Sequence, residues 1–211
     1  MSISITKVKV NNQIADVSGS LVIPFESPIV TWETETSSAA IKQLSYEIRV
    51  GTNNINWGTS SFSSDIIRQP YARDSAQYWK IKNKFINRGD DYYCQIRVKD
   101  TTNEESDWVK FKFKINRLPF ITLATITPSE PSEENDLELN VVLSSNESVS
   151  KIKWFRNGVH YRQFDNYQKI SKEYLRYGDK WYAEVTPYDG IELGPTVVLQ
   201  AVTIIKKSPV A

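Results

Sequence analysis

Residues 108–115 read Trp-Val-Lys-Phe-Lys-Phe-Lys-Ile. Val109, Phe111, Phe113 and Ile115 share one parity, and Lys110, Lys112 and Lys114 share the other. Successive side chains of a strand point to opposite faces, so this stretch is a strand with one apolar and one charged face. The same period of two runs outward along the chain. In 92–98, Tyr92, Cys94, Ile96 and Val98 oppose Tyr93, Gln95 and Arg97. In 137–143, Leu137, Leu139, Val141 and Leu143 oppose Glu138, Asn140 and Val142. In 79–85, Trp79, Ile81 and Phe85 oppose Lys80, Lys82 and Lys84. Helical spacing is nearly absent. One-sided strands of this kind suit antiparallel sheets. Asn53-Asn54, Asn157-Gly158 and Asp189-Gly190 supply turns between them. The fold class is all-β.

Two segments align at an offset of 89 residues. The first runs from Ile86 through Gly89-Asp90 and Tyr92-Tyr93-Cys94 to Ile96; the second runs from Leu175 through Gly178-Asp179 and Trp181-Tyr182-Ala183 to Val185. A repeat of that length marks tandem domains. Gly-Asp supplies the turn into a strand, and the aromatic three residues after the glycine enters the core and anchors the loop just passed, the logic of a tyrosine corner. Asn116-Arg-Leu-Pro119 closes the first unit, so the domains are 1–118 and 119–211. The architecture expected is two tandem antiparallel β-sandwiches. At the N-terminus, Ile3 and Ile5 share one parity and Val8 and Val10 the other. A bulge near Thr6-Lys7 explains the shift; an arm that pairs with a neighbouring molecule is the alternative.

Composition narrows the chemistry. The chain has 211 residues, 26 Lys+Arg against 25 Asp+Glu, one Cys and one His. Balanced charge lacks the basic excess of a nucleic-acid binder, so no nucleic-acid partner is expected. A lone cysteine forms no internal disulfide and no multi-Cys zinc site, and a lone histidine leaves one candidate imidazole base. The opening MSISITKVKV reads as a strand and not as a secretory signal, and no apolar run reaches the length of a membrane helix. A soluble chain made in the cytoplasm, with no membrane partner, is the expectation.

At these residues the chain resembles known modules. Residues ~25–118 resemble a fibronectin type III domain of the bacterial and phage kind. The matching pieces are Pro28 and Trp32, Gln43 with Tyr46, Ile48 and Val50, Trp57-Gly58, the strand from Gly89 to Val98, and Ser106-Asp107-Trp108. Residues ~120–205 resemble an Ig-like module of prokaryotic surface and phage virion proteins, through Trp154-Phe155-Arg156-Asn157-Gly158 and the run from Gly178 to Gly190. The resemblance implies a fibronectin type III-like sandwich followed by an Ig-like one. Two departures stand out: an extra strand before residue 25, and a loop over 59–78 that is long for a compact sandwich.

Candidate chemistry is sparse. His160 follows the Asn157-Gly158 turn, with no nucleophile or orienting acid marked beside it, and reads as exposed or locally hydrogen-bonded. Cys94 lies on an inward face and reads as an inert buried thiol. Asp90-Asp91, Glu104-Glu105 with Asp107, and Glu133-Glu134 with Asp136 lack EF-hand spacing and sit where turns belong. No catalytic, cofactor-binding or metal-ligating residue is assigned. Charge is uneven, +3 over 1–118 and −2 over 119–211. Arg97, Lys99, Lys110, Lys112 and Lys114 share the outward face of two neighbouring strands. They read either as a docking face for an acidic partner or as protection of a sheet edge. Ten of the 25 aromatics lie between 154 and 188. By parity Trp154 and Trp181 face the core while Phe155 and Tyr182 face outward, and with Tyr161 they form a candidate contact surface.

The function these features imply is non-enzymatic: a structural and interaction protein. The resembled modules are usually extracellular, yet no export signal is read here; a bacteriophage virion component such as a tail, baseplate, neck or capsid-decoration protein, which assembles in the cytoplasm and acts outside the cell, is the expectation that reconciles the two. Its partners would be other virion or surface proteins in a multi-subunit assembly, with no cofactor. One alternative is a receptor- or carbohydrate-binding adhesin at a phage or bacterial cell surface, with a glycan as partner. The second alternative is an accessory module of a glycoside hydrolase.

Overall fold

The computed structural model describes residues 3–19, 21–52, 67–72, 77–144 and 149–206. The chain divides into two compact units, Met1–Arg117 and Leu118–Ala211. Both are β-sandwiches, and among the described residues no helix is long and apolar enough to cross a membrane.

The first unit contains β1 (Ile3–Val10), β2 (Gln13–Ile14), β3 (Val22–Ile23), β4 (Ile29–Thr36), β5 (Gln43–Gly51), β6 (Ile67–Ala72), β7 (Tyr78–Lys80), β8 (Asp91–Asp100) and β9 (Val109–Ile115). One sheet has the order β2-β1-β4-β7 and the other β3-β9-β8-β5-β6. All pairings are antiparallel except β3 with β9. The alternating faces meet between the sheets. Val8, Val10, Val30 and Trp32 come from the first, and Ile48, Val50, Cys94, Ile96, Phe111 and Phe113 from the second. Tyr92 and Phe113 are cross-strand partners with rings stacked 5.4 Å apart.

Several expectations change here. The register of β1 on β4 shifts between Ile5 and Lys7, so the bulge is real and brings Ile3 and Val8 to the same core. β1 pairs with β4 of its own unit from Ile3–Thr36 to Val10–Val30. It is therefore the first strand of the sandwich, not an addition before residue 25. The segment 79–85 is not one strand. The ladder ends when Ile81 donates to the Pro28 carbonyl, and Asn83–Phe85 forms a 3-10 turn. Part of 59–78 is strand β6, hydrogen-bonded to β5. Asn53-Asn54 and Trp57-Gly58 lie outside the described residues.

The second unit contains β10 (Ile121–Thr127), β11 (Leu137–Leu143), β12 (Val149–Arg156), β13 (Val159–His160), β14 (Lys169–Ile170), β15 (Lys180–Tyr188), β16 (Val197–Val198) and β17 (Val202–Thr203). Its sheets are β10-β11-β14 and β13-β12-β15-β16, with β17 also on β15. Leu137, Leu139, Ile152, Trp154, Trp181, Val185 and Ile204 fill the space between. The expected hairpin turn at Asn157-Gly158 joins β12 to β13, with both residues at positive φ.

The repeated Gly-Asp element makes the same two backbone bonds in each unit. Gly89 N–H donates to the Ile115 carbonyl and Ile115 N–H to the Asp90 carbonyl; Gly178 N–H donates to the Ile204 carbonyl and Ile204 N–H to the Asp179 carbonyl. The offset of 89 thus extends to Ile115 and Ile204. Both glycines have φ near +84° (83° and 85°), which a Cβ would strain. Anchorage then differs between the units. Tyr92 Oη accepts the Asn87 N–H at 2.7 Å, a tyrosine corner as expected. Trp181 cannot accept in this way, and its buried Nε1 meets no hydrogen-bond partner among the described residues. The Asp179 carboxylate does the work instead. It accepts from Asn157 Nδ2 at 2.9 Å and pairs with Arg156 at 2.7 Å.

Two substitutions test this division. Tyr92→Phe is expected to destabilise the first unit by ~1 kcal/mol, and Asp179→Ala the second by ~2 kcal/mol because charged acceptors hold more tightly. Urea unfolding of each variant reads the difference; an unchanged Tyr92→Phe midpoint would show that the hydroxyl does not hold the corner.

Candidate functional site

The two faces singled out in the sequence have different fates. In the first unit, β5, β8 and β9 carry the polar face. Glu47 on β5 lies opposite Arg97 on β8 in the register, two residues from Arg49. Glu47 Oε1 accepts from Arg49 Nε at 3.0 Å, and Glu47 Oε2 accepts from Arg97 Nε at 3.1 Å and Nη2 at 2.9 Å. Glu105 pairs with Arg97 and, at 3.5 Å, with Lys99. Trp108 packs against both guanidiniums, 4.5 Å from Arg49 and 4.6 Å from Arg97 to its ring centroid. The centre of this face is therefore dry. Glu47 is 2% exposed and Gln95 fully buried, although parity alone places both on the wetted side. Burial by itself would raise the Glu47 carboxyl, but the hydrogen bonds from Arg97 and Arg49 outweigh it and hold the group below its ordinary value.

The five cations thus do not act as one positive patch, because Arg97 and Lys99 are matched by Glu47 and Glu105. Lys110, Lys112 and Lys114 are half-buried on β9. The edge reading also changes. β9 is covered by the chain before it: Lys112 N–H donates to the Asp16 carbonyl, Lys114 N–H to the Leu21 carbonyl, and β3 pairs alongside. Glu47, Glu105 and Trp108 form one cluster that the sequence does not announce; the outward parity of Glu47 on its strand is the one local signal.

In the second unit, Phe155 and Tyr182 are cross-strand partners on β12 and β15. Their rings stack 4.7 Å apart and 2° from parallel. His160 stacks on the other side of Phe155 at 5.1 Å and bonds Asp165 at 2.7 Å through Nε2. A half-buried row of three rings lies on the outer face. Tyr161 is not part of it. Its ring packs edge-on against buried Trp181 at 5.6 Å and near Phe164 at 6.0 Å, so it belongs to the core side. Tyr167, Tyr174 and Tyr177 stand exposed on loops instead. Their signal was a position outside strand alternation.

The remaining candidates are structural. Burial pushes the Cys94 thiol well above its ordinary value. Asp136 accepts the Lys172 N–H and pairs with Lys169, and Glu133 accepts the Tyr177 N–H. Asp100, passed over in the sequence, is fully buried and accepts from the N–H groups of Thr102 and Glu104. Among the described residues no cluster of three or more His, Cys, Asp or Glu could hold a metal ion. The acceptor motif Asn146-Glu147-Ser148 lies outside the described residues.

Residues 6–114 match the family described as the Rha78A-like, N-terminal immunoglobulin domain. The chain belongs to this family. The match runs from the bulge in β1 to the last lysine of β9, so it takes in the arginine–tryptophan face entirely. No curated protein matches the chain in sequence. Among solved structures, the α-L-rhamnosidase from Dictyoglumus thermophilum is 14% identical with a TM-score of 0.46, over 93% of this chain and 29% of its own. That from Streptomyces avermitilis, complexed with L-rhamnose, is 11% identical with a TM-score of 0.44, over 99% of this chain and 26% of its own. The fibronectin(III)-like modules of Clostridium thermocellum CbhA are 9% identical with a TM-score of 0.36, over 94% of both chains. The chain spans under a third of the length of either rhamnosidase.

In this Rha78A-like module, Glu47 is the residue on which the charged face depends. Glu47→Gln is expected to cost ~3 kcal/mol at neutral pH, since it leaves two guanidiniums short of a carboxylate. Because the folded carboxyl titrates below the ordinary 4.5, its stabilisation is complete above that value and fades as pH falls beneath it. The gap between wild type and Glu47→Gln should therefore shrink in acid, as urea titrations across that range would measure. For the ring row, a double-mutant cycle of Phe155→Ala and Tyr182→Ala is expected to give a coupling of ~1 kcal/mol; additive effects would mean that the stack contributes only its area.

Proposed function

We propose that this chain is the N-terminal accessory module of a glycoside hydrolase of the α-L-rhamnosidase class. The observation that carries the reading is the family match over residues 6–114. In this role the sandwiches supply rigid surfaces to a catalytic region and no reacting group of their own. The carboxylates agree with that role. A glycosidase needs two facing across a cleft, whereas Glu47, Glu105, Asp136 and Asp179 are engaged with Arg, Lys or Asn side chains. The partner is then a catalytic domain, in the same polypeptide or beside it. The virion role expected above has no support in the family, and the accessory role takes its place.

The test begins with the coding sequence on either side of this chain. A glycoside-hydrolase catalytic region is expected in the same frame or in an adjacent gene. Expressed with and without this chain, that region should melt several degrees higher in its presence, while the chain alone releases no p-nitrophenol from p-nitrophenyl α-L-rhamnoside. Capsid and tail genes on both flanks would overturn the reading, and so would turnover by the chain alone that one carboxylate substitution abolishes.

A further inference from the structure

The chain segment that leads from β13 to β15 forms a depression of ≈ 280 Å³ lined by Gln163, Phe164, Tyr167, Lys169, Ser171 and Tyr174. Its floor is Phe164, which is buried at 7% exposure. Tyr167 and Tyr174 stand nearly perpendicular to that ring, at 80° and 79°, with centroids 6.4 and 5.0 Å away. Both tyrosines are largely in water, at 59% and 46% exposure.

The loop that presents them is fixed. Asn166, at φ +64°, donates its N–H to the Ile152 carbonyl and accepts the Ile152 N–H at Oδ1. The Tyr167 carbonyl accepts from the buried Trp154 indole at 2.8 Å. Tyr174 N–H donates to the Ser171 carbonyl, and the next residue back, Glu173, follows Lys172, whose N–H is held by Asp136 at 2.8 Å. Rings held open on a pinned backbone bind at low entropic cost.

We infer that this depression is a saccharide-binding subsite that takes one pyranose ring of a neutral glycan. The volume falls just below the ~300–1,000 Å³ of drug-sized ligand pockets and suits a single ring. Aromatic faces pack on the C–H face of a sugar, and the Gln163 amide and Ser171 hydroxyl offer hydrogen bonds to its hydroxyls. Lys169 is already matched by Asp136 at 2.8 Å and Glu138 at 3.3 Å, so the site selects no charge. The inference rests on the depression alone and not on the accessory role.

The test is saturation-transfer NMR and calorimetry of the full chain against methyl α-L-rhamnoside, cellotetraose, xylotetraose and mannotetraose. At least one should bind in the millimolar range. Tyr167→Ala and Tyr174→Ala should each weaken it about tenfold, the loss of one aromatic contact, and Gln163→Ala should weaken it less. Unchanged near-ultraviolet circular dichroism shows that each variant is folded. Tyr78→Ala, an exposed ring in the first unit, should leave binding as it is. A panel with no binder overturns the inference, as does binding that survives loss of both groove tyrosines or that falls with Phe155→Ala and Tyr182→Ala instead.

Discussion

Each sandwich is closed by the same pair of backbone bonds. A glycine at positive φ donates to the carbonyl of an isoleucine that ends or directly follows a later strand, and that isoleucine donates back to the aspartate next to the glycine. The bonds fix where β8 and β15 begin, and therefore which of their residues face inward. A slip of one residue would send Tyr92, Cys94 and Ile96 to the surface and Gln95 and Arg97 to the core. The side-chain anchors differ, a phenol hydroxyl in one unit and a carboxylate in the other, yet they hold the same corner. The backbone geometry is the constraint, and the side chain only has to occupy the remaining donors.

The charged face of the first unit shows how some cations of a basic surface are matched from within the sheet. Glu47 sits between two arginines, and a tryptophan covers both guanidiniums. Such a network fixes the relative positions of β5, β8 and the Trp108 segment more than it adds stability, because desolvating the charges offsets much of their attraction. The aromatic wealth of the second unit divides in three. Trp154, Trp181 and Tyr161 serve the core, Phe155 and Tyr182 stack along the outer sheet, and Tyr167 and Tyr174 stand over Phe164. Tyr167 and Tyr174 combine exposure with a backbone held by hydrogen bonds, the pairing on which the proposed subsite rests.

Strand alternation, the repeat and its turn residues were legible in the chain, because period two and positive φ are local properties. So were the inert Cys94, the bulge at Thr6-Lys7 and the hydrogen-bonded His160. The segment 79–85 misled, since Trp79, Ile81 and Phe85 share a parity on either side of polar Asn83 while the backbone turns away after Ile81. Residues 59–78 misled in the other direction, because β6 has no clean alternation and forms by pairing with β5.

What the sequence determined was everything that depends on neighbours along the chain: all-β class, two tandem units, the inward faces and the corner glycines. What only the tertiary structure decided was which side chains meet across strands far apart in number. Glu47 and Arg97 are 50 residues apart, and no spacing rule brings them together. The fate of Tyr161 likewise turned on packing against Trp181 and not on its own parity. Local pattern orients a side chain; the register between strands chooses its partner, and the partner decides whether a charge or a ring is spent inside the fold or left for another molecule.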